Sequence, residues 1–162
     1  MGRVFFDTRK HIHEITATTT TYQCLDSDSN KTFILNTAAA TVITLPADAD
    51  IEIGWNIDVK MILANNLSTA INCSDATNTT GQMFIGGLHF TVAADATADI
   101  FQGYAVTAAN DSQILLDSNL ANNQATVGTD LNIMKTATNR FLVTGTVVGT
   151  AAGTGAAIFV DI

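Results

Sequence analysis

The sequence predicts an all-β fold, either an antiparallel β-sandwich or a jelly-roll-like barrel of about ten short strands. Apolar and polar residues alternate in short runs along most of the chain, which is the period of a half-buried strand. Threonine is abundant, and β-branched side chains favour extended backbone. A chain of 162 residues corresponds to about one domain, so we expect a single β domain over residues 15–162.

The clearest pattern lies in residues 31–63, where three successive runs alternate with period two. Residues 36–39 are short enough for a hairpin loop, and Pro46 ends the second run because proline cannot donate to a ladder. We therefore predict three antiparallel strands, with the inward face of the third continuing to Leu63. The predicted core residues are Phe33, Leu35, Ile43, Leu45, Trp55, Ile57, Val59 and Met61.

Shorter runs elsewhere predict the remaining strands. Residues 15–25 are predicted to form one strand, and Gly86–Gly87 a hairpin turn between two more. Residues 117–130 are the one stretch without strong β character. The other predicted strands, in chain order, are 69–72, 83–85, 88–92, 100–106, 113–116, 140–148 and 158–162.

Residues 1–14 lack sustained alternation and predict an N-terminal arm. One interpretation is a frayed terminus with an aromatic side chain packed on the domain, and the other is an arm that binds a partner. The first ten residues are locally basic, whereas the rest of the chain is acidic, with only four basic but fourteen acidic residues from His11 onward. The residues predicted to act in a binding arm are Arg3, Phe5, Phe6, Arg9 and Lys10.

Two polar groups resemble cation sites, and we predict no metal at either. His11 and His13 share a face of an extended segment beside Glu14, but a third ligand is missing nearby. The run DSDSN at residues 26–30 begins like a calcium loop but lacks the glycine and the bidentate glutamate that such a loop requires. A turn is the simpler interpretation.

A third polar group is the loop of residues 47–54, which carries three carboxylates at alternate positions, Asp48, Asp50 and Glu52. We predict a solvated charged face there, since such a face is commoner than a cation site.

Composition restricts the function further. A net charge of −8 argues against a nucleic-acid partner. No apolar run approaches the roughly 20 residues of a membrane span, and the N-terminus lacks a signal-peptide core, so we expect a soluble protein that is made in a cytoplasm. Cys24 and Cys73 are expected to be buried or free thiols. Catalytic and cofactor motifs are missing, which predicts a protein that is not an enzyme and needs no cofactor.

Two stretches resemble a module of tailed-bacteriophage structural proteins, especially capsid decoration (cement) proteins and fibre-associated domains. The first is K-T-F-I-L-N, T-V-I-T-L-P and G-W-N-I-D-V within residues 31–63, and the second is T-D-L-N-I followed by N-R-F-L-V-T-G-T-V within residues 129–147. Together they cover about a third of the chain.

The resemblance implies a β-sandwich or β-tulip fold. It also implies a homotrimer on the capsid exterior that binds the major capsid protein, made in the host cytoplasm and assembled into the virion. A tail or fibre domain is one alternative, although the sequence lacks heptads and shaft repeats. A carbohydrate-binding module is another. Such a module exposes aromatic side chains, whereas Tyr22, Trp55 and Tyr104 lie in segments predicted to turn them inward.

Overall fold

A computed structural model describes residues 11–18, 20–63, 68–74, 81–92, 101–105, 111–116, 125–149 and 159–160. These residues contain twelve β-strands in two sheets, which confirms the predicted all-β fold. The strands are β1 Ile12–Ile15, β2 Thr21–Gln23, β3 Lys31–Leu35, β4 Thr41–Thr44, β5 Asn56–Met61, β6 Thr69–Asn72, β7 Met83–Val92, β8 Phe101–Ala105, β9 Gln113–Leu116, β10 Asp130–Ala137, β11 Arg140–Gly149 and β12 Phe159–Val160.

The two sheets have seven and five strands. The seven-stranded sheet has the order β1-β3-β5-β10-β11-β7-β8, and the five-stranded sheet has the order β12-β9-β6-β4-β2. The strands of both sheets turn their buried side chains into one hydrophobic cluster. All eight predicted core residues belong to it, each at most 3% exposed. The fold is therefore a sandwich with a continuous core.

The first six strands alternate between the two sheets. β1, β3 and β5 pair in parallel in the larger sheet, whereas β2, β4 and β6 pair in parallel in the smaller one. The predicted antiparallel hairpin at residues 36–39 is therefore wrong, because this segment carries the chain from one sheet to the other. The alternation of apolar and polar residues determines which face of a strand is buried. It does not determine whether the next strand pairs in the same sheet or lies in the facing sheet across the core.

Two further local predictions are wrong for related reasons. Residues 15–25 are not one strand, since a turn at Ala17 and Thr18 separates β1 from β2, which lies in the other sheet. Gly86–Gly87 is not a hairpin turn but part of the continuous strand β7, which pairs in parallel with β11. Gly86 has a φ of 103°, and a Cβ atom there would meet the carbonyl oxygen of Val143. The glycine allows close approach of two strands.

β10 lies near the middle of the larger sheet, between β5 and β11, and the sequence patterns did not predict it. Its inward residues are Leu131, Ile133 and Lys135, and all three are buried. The lysine interrupts the apolar alternation by which a strand is recognised. Strand β10 is identified only when the partners of that lysine are known.

Candidate interaction surface

Asp28 is a buried carboxylate that joins a 3-10 turn, Asp26–Asp28, to two strands. Its Oδ2 accepts hydrogen bonds from the Tyr22 hydroxyl at 3.1 Å and the Leu25 backbone N–H at 2.9 Å, while Lys31 forms an ion pair with Oδ1. Burial alone would raise the pKa of Asp28, but the donors from Lys31, Leu25 and Tyr22 outweigh burial and hold the pKa below its usual value. The carboxylate is saturated by internal donors and acts as a structural joint.

Lys135 forms a second internal joint. Its ammonium group donates to the carbonyl oxygens of Asp48 at 2.7 Å and Ile51 at 2.8 Å, and it pairs with the Asp48 carboxylate at 2.9 Å. The backbone N–H of Asn139 also donates to that carboxylate, at 2.8 Å. Burial alone would raise the pKa of Asp48, but the Asn139 and Lys135 donors lower it. These contacts attach the Asp48 loop to β10.

The predicted solvated face at residues 47–54 is therefore only partly present. Asp50 and Glu52 are exposed, as expected of such a face, whereas Asp48 is held by Lys135.

The two histidines predicted to share a face, His11 and His13, differ in exposure and in packing. His11 is exposed, whereas the His13 ring packs against Tyr22 at 4.5 Å and Phe33 at 5.5 Å between ring centroids. The Nε2 atom of His13 is buried without a hydrogen-bond partner among the described residues. Among all the residues that the structure describes, no cluster of three or more His, Cys, Asp or Glu is arranged to hold a metal.

Both cysteines are free and buried. Burial raises the pKa of Cys24 to about 12 and raises the pKa of Cys73 above its ordinary value. Because the thiolate is the nucleophilic form of cysteine, both side chains are held in the unreactive state. Cys24 also lines an open depression of about 430 Å³ that includes Asp26, Asp50 and Ser74.

Two exposed apolar side chains, Ile62 and Val127, form what we call the Ile62 surface, and they are 50% and 52% exposed. Leu63, the next residue after Ile62, is 42% exposed. Ile62 and Val127 line one shallow cavity of about 290 Å³. Lys60 and Asp130 line the same cavity and form an ion pair with each other. Clustered apolar side chains at a protein surface are typical of an interaction site.

The backbone ladder between β5 and β10 holds the Ile62 surface in place. The Met61 N–H donates to the Thr129 carbonyl at 2.9 Å, and the Gly128 N–H donates to the Met61 carbonyl at 3.1 Å. The Ile62 N–H donates to the carbonyl oxygen of Leu35 at 3.1 Å. Both segments of the surface are therefore fixed by the larger sheet, and their side chains are presented in a preformed arrangement.

The predicted binding-arm residues Arg3, Phe5, Phe6, Arg9 and Lys10 lie outside the described residues. Of the predicted arm, Ile12–Glu14 belong to β1, an edge strand of the larger sheet.

Sequence reasoning missed the Ile62 surface because it assigned Leu63 to the inward face. β5 ends at Met61, so the next two residues, both apolar, are outside the ladder. An apolar pair directly after a strand end is the signal that could have identified them.

Comparisons with known proteins identify no relative, since no family model, no curated protein and no solved structure matches the chain. In the described part of the chain, no helix is long and apolar enough to span a membrane.

Proposed function

We propose that this chain is a non-enzymatic virion structural protein of a tailed bacteriophage, which decorates the capsid and stabilises it by bridging major capsid protein subunits. The proposal includes a homotrimer on the capsid exterior. One structural observation supports it most. The two stretches that resemble phage structural proteins, residues 31–63 and 129–147, are far apart in the chain but adjacent in space.

That adjacency results from the sheet order. The first stretch contains β3, β4 and β5, and the second contains most of β10 and β11. β3, β5, β10 and β11 are consecutive neighbours in the larger sheet, whereas β4 lies in the smaller sheet. β5 pairs with β10 from Asn56 to Lys60. This pairing is consistent with one structural module that includes both stretches.

The internal ionic joints are consistent with a scaffold role. Asp28 with Lys31 and Asp48 with Lys135 each tie a loop to a strand, and their polar atoms are satisfied within the domain. Trp55 is buried with its indole N–H bonded to the Leu25 carbonyl, and the Tyr22 hydroxyl is bonded to Asp28. These aromatic side chains are used for packing, whereas a carbohydrate-binding module would present such rings to sugars.

Residues 1–10 precede β1, an exposed edge strand of the larger sheet among the described strands. This position makes a capsid contact accessible to the arm. Among the described strands, β1 pairs with β3 on one side only, and the side chain of Ile12 is 71% exposed. Edge strands present unpaired backbone groups to a partner. In this proposal, residues 1–10 bind the major capsid protein through the cations Arg3, Arg9 and Lys10 and the apolar anchors Phe5 and Phe6.

Mass spectrometry of purified virions of the encoding phage tests the proposal. We expect the protein in the particle at a copy number comparable to that of the major capsid protein. A few copies per particle would instead support the tail or fibre alternative. Complete absence from purified particles would contradict a virion role.

A further inference from the structure

We infer that the Ile62 surface is where a second copy of this chain binds. The inference rests on the homotrimer in the proposed function and identifies the surface by which that trimer assembles. Ile62 and Val127 come from two segments of the chain, line one cavity and are each about half exposed. Their burial against the same residues of another copy would remove apolar area from water, which is the main driving force of stable homo-oligomers.

Charge indicates that the occupant is a second copy. The chain carries a net charge of −8, so two copies repel each other over most of their surface. Lys60 is one of only four basic residues after position 10, and its ion pair with Asp130 places a cation beside the apolar side chains. Two acidic molecules are repelled less strongly here than at a surface whose carboxylates have no cation beside them.

The same pair makes the surface complementary to itself. The side chains of Lys60 and Asp130 remain 41% and 52% exposed, so each can make a second contact. In a cyclic trimer, Lys60 of one copy can pair with Asp130 of the next, and the apolar side chains then meet around the symmetry axis. A second copy always carries the charges that match Lys60 and Asp130, whereas a capsid surface need not carry them.

Ile53 provides a contrast. It is 66% exposed, but it lies beside Glu52 on the loop that also exposes Asp50. A second acidic copy would be repelled at this loop, although the side chain of Ile53 is more accessible than that of Ile62. Ile53 is therefore the matched control for a charge introduced at an exposed apolar position.

Light scattering coupled to size exclusion tests the inference on the full chain, with Ile62→Asp, Val127→Asp and the control Ile53→Asp. We expect the wild type and the control to share one oligomeric mass. The two test variants should dissociate at concentrations at least about tenfold higher than the wild type, because each places a carboxylate in an apolar contact. Melting curves at a concentration where all are monomeric should stay similar.

Each outcome can be assigned. If both test variants keep the wild-type mass, the inference is wrong, while the trimer and the virion role stand. If the wild type is monomeric, the inference and the trimer are both wrong, while the virion copy number still reports on decoration. If Val127→Asp fails to fold, the milder Val127→Ser takes its place, and Ile62→Ser likewise replaces Ile62→Asp. A wild-type mass for the folded variants at both positions would overturn the inference.

Discussion

At the scale of single residues, Asp28 is a buried carboxylate whose protonation state affects stability. Its pKa is held below the ordinary value, so the unfolded chain binds the proton more readily than the folded chain. The stabilisation is therefore present above the unfolded pKa, near 4, and is lost as pH falls through the folded pKa. Acid should weaken the joint between the 3-10 turn, β2 and β3.

We predict that Asp28→Asn lowers the free energy of unfolding at pH 7 by about 1–3 kcal/mol, because it leaves Lys31 and two other donors poorly matched. Between about pH 5 and pH 2, the variant should lose less stability than the wild type. Urea titrations at several pH values measure both effects. Asp26→Asn, at an exposed position in the same turn, is the control, and an equal effect there would contradict the assignment.

Trp55 and Asn56 test which face of the chain is buried. Trp55 is 3% exposed, and its ring lies edge-on to Phe141 with centroids 6.2 Å apart. Trp55→Ala should cost about 3–5 kcal/mol because it removes apolar contacts and leaves a cavity. Asn56 is partly exposed and bonds Asn30 and Gly54 through its amide, so Asn56→Ala should cost only about 1 kcal/mol. Similar losses in a denaturant titration would mean that the face is misassigned.

His13 and His11 form a matched pair two residues apart. His13→Phe retains the packing on Tyr22 and Phe33 and removes a buried ring nitrogen that lacks a described partner. We expect it to raise the free energy of unfolding by about 1 kcal/mol. His11→Phe, at an exposed position, should change it by less than about 0.5 kcal/mol. A loss of stability in His13→Phe alone would indicate that Nε2 has a partner.

At the scale of the strands, glycine at position 86 is required by the approach of β7 to β11. Gly86 and Gly54 have nearly equal φ values, 103° and 100°, but only Gly86 has neighbours in the space that a Cβ would occupy. Alanine at either position should cost about 1–2 kcal/mol for the positive φ. Gly86→Ala should cost more because Val143 and Leu142 must also move. Thermal melts that fall equally in both variants would show that the close approach can relax.

The first six strands explain why the larger sheet is mixed. Each passage between the sheets returns the chain to its starting sheet in the same direction, so the successive strands of a sheet are parallel. β10 and β11 then form an antiparallel pair at the centre, with β10 beside β5. This order brings the two segments of the Ile62 surface together, since Ile62 comes directly after β5 and Val127 precedes β10.

At the scale of the whole molecule, we propose two separate binding sites. Residues 1–10 bind the capsid, and the Ile62 surface binds a second copy of the chain. Deletion of residues 1–10 should leave the oligomeric mass and the melting temperature nearly unchanged, because the described core begins within β1. Addition to capsids should be lost, since the binding element is missing. Cosedimentation with capsids that lack the protein measures this.

Charge reversal at Arg9 and Lys10 should weaken the same binding and reduce its dependence on salt. Full occupancy by the truncated protein would mean that the arm is not the anchor and that the capsid contact lies on the sandwich itself.

The core of the sandwich is determined by local pattern. The alternation of Phe33 with Leu35, and of Ile57 with Val59 and Met61, determines the buried face of each strand because successive side chains point to opposite sides. The β-branched content favours extended backbone at each residue, and it therefore favours the all-β class for the same local reason. For this protein, these properties do not depend on which strands become neighbours.

Only the tertiary structure determined which strands pair with each other and which apolar side chains are exposed at the surface. Alternation is satisfied equally by a hairpin and by a passage to the facing sheet, so the parallel pairs of β1 to β6 were not predictable. Lys135 is acceptable at an inward position only because Asp48 and Ile51 supply oxygen atoms from a loop distant in the chain. Leu63 becomes exposed because β5 stops pairing at Met61. In each case the deciding interaction joins residues far apart in sequence, and no local pattern contains it.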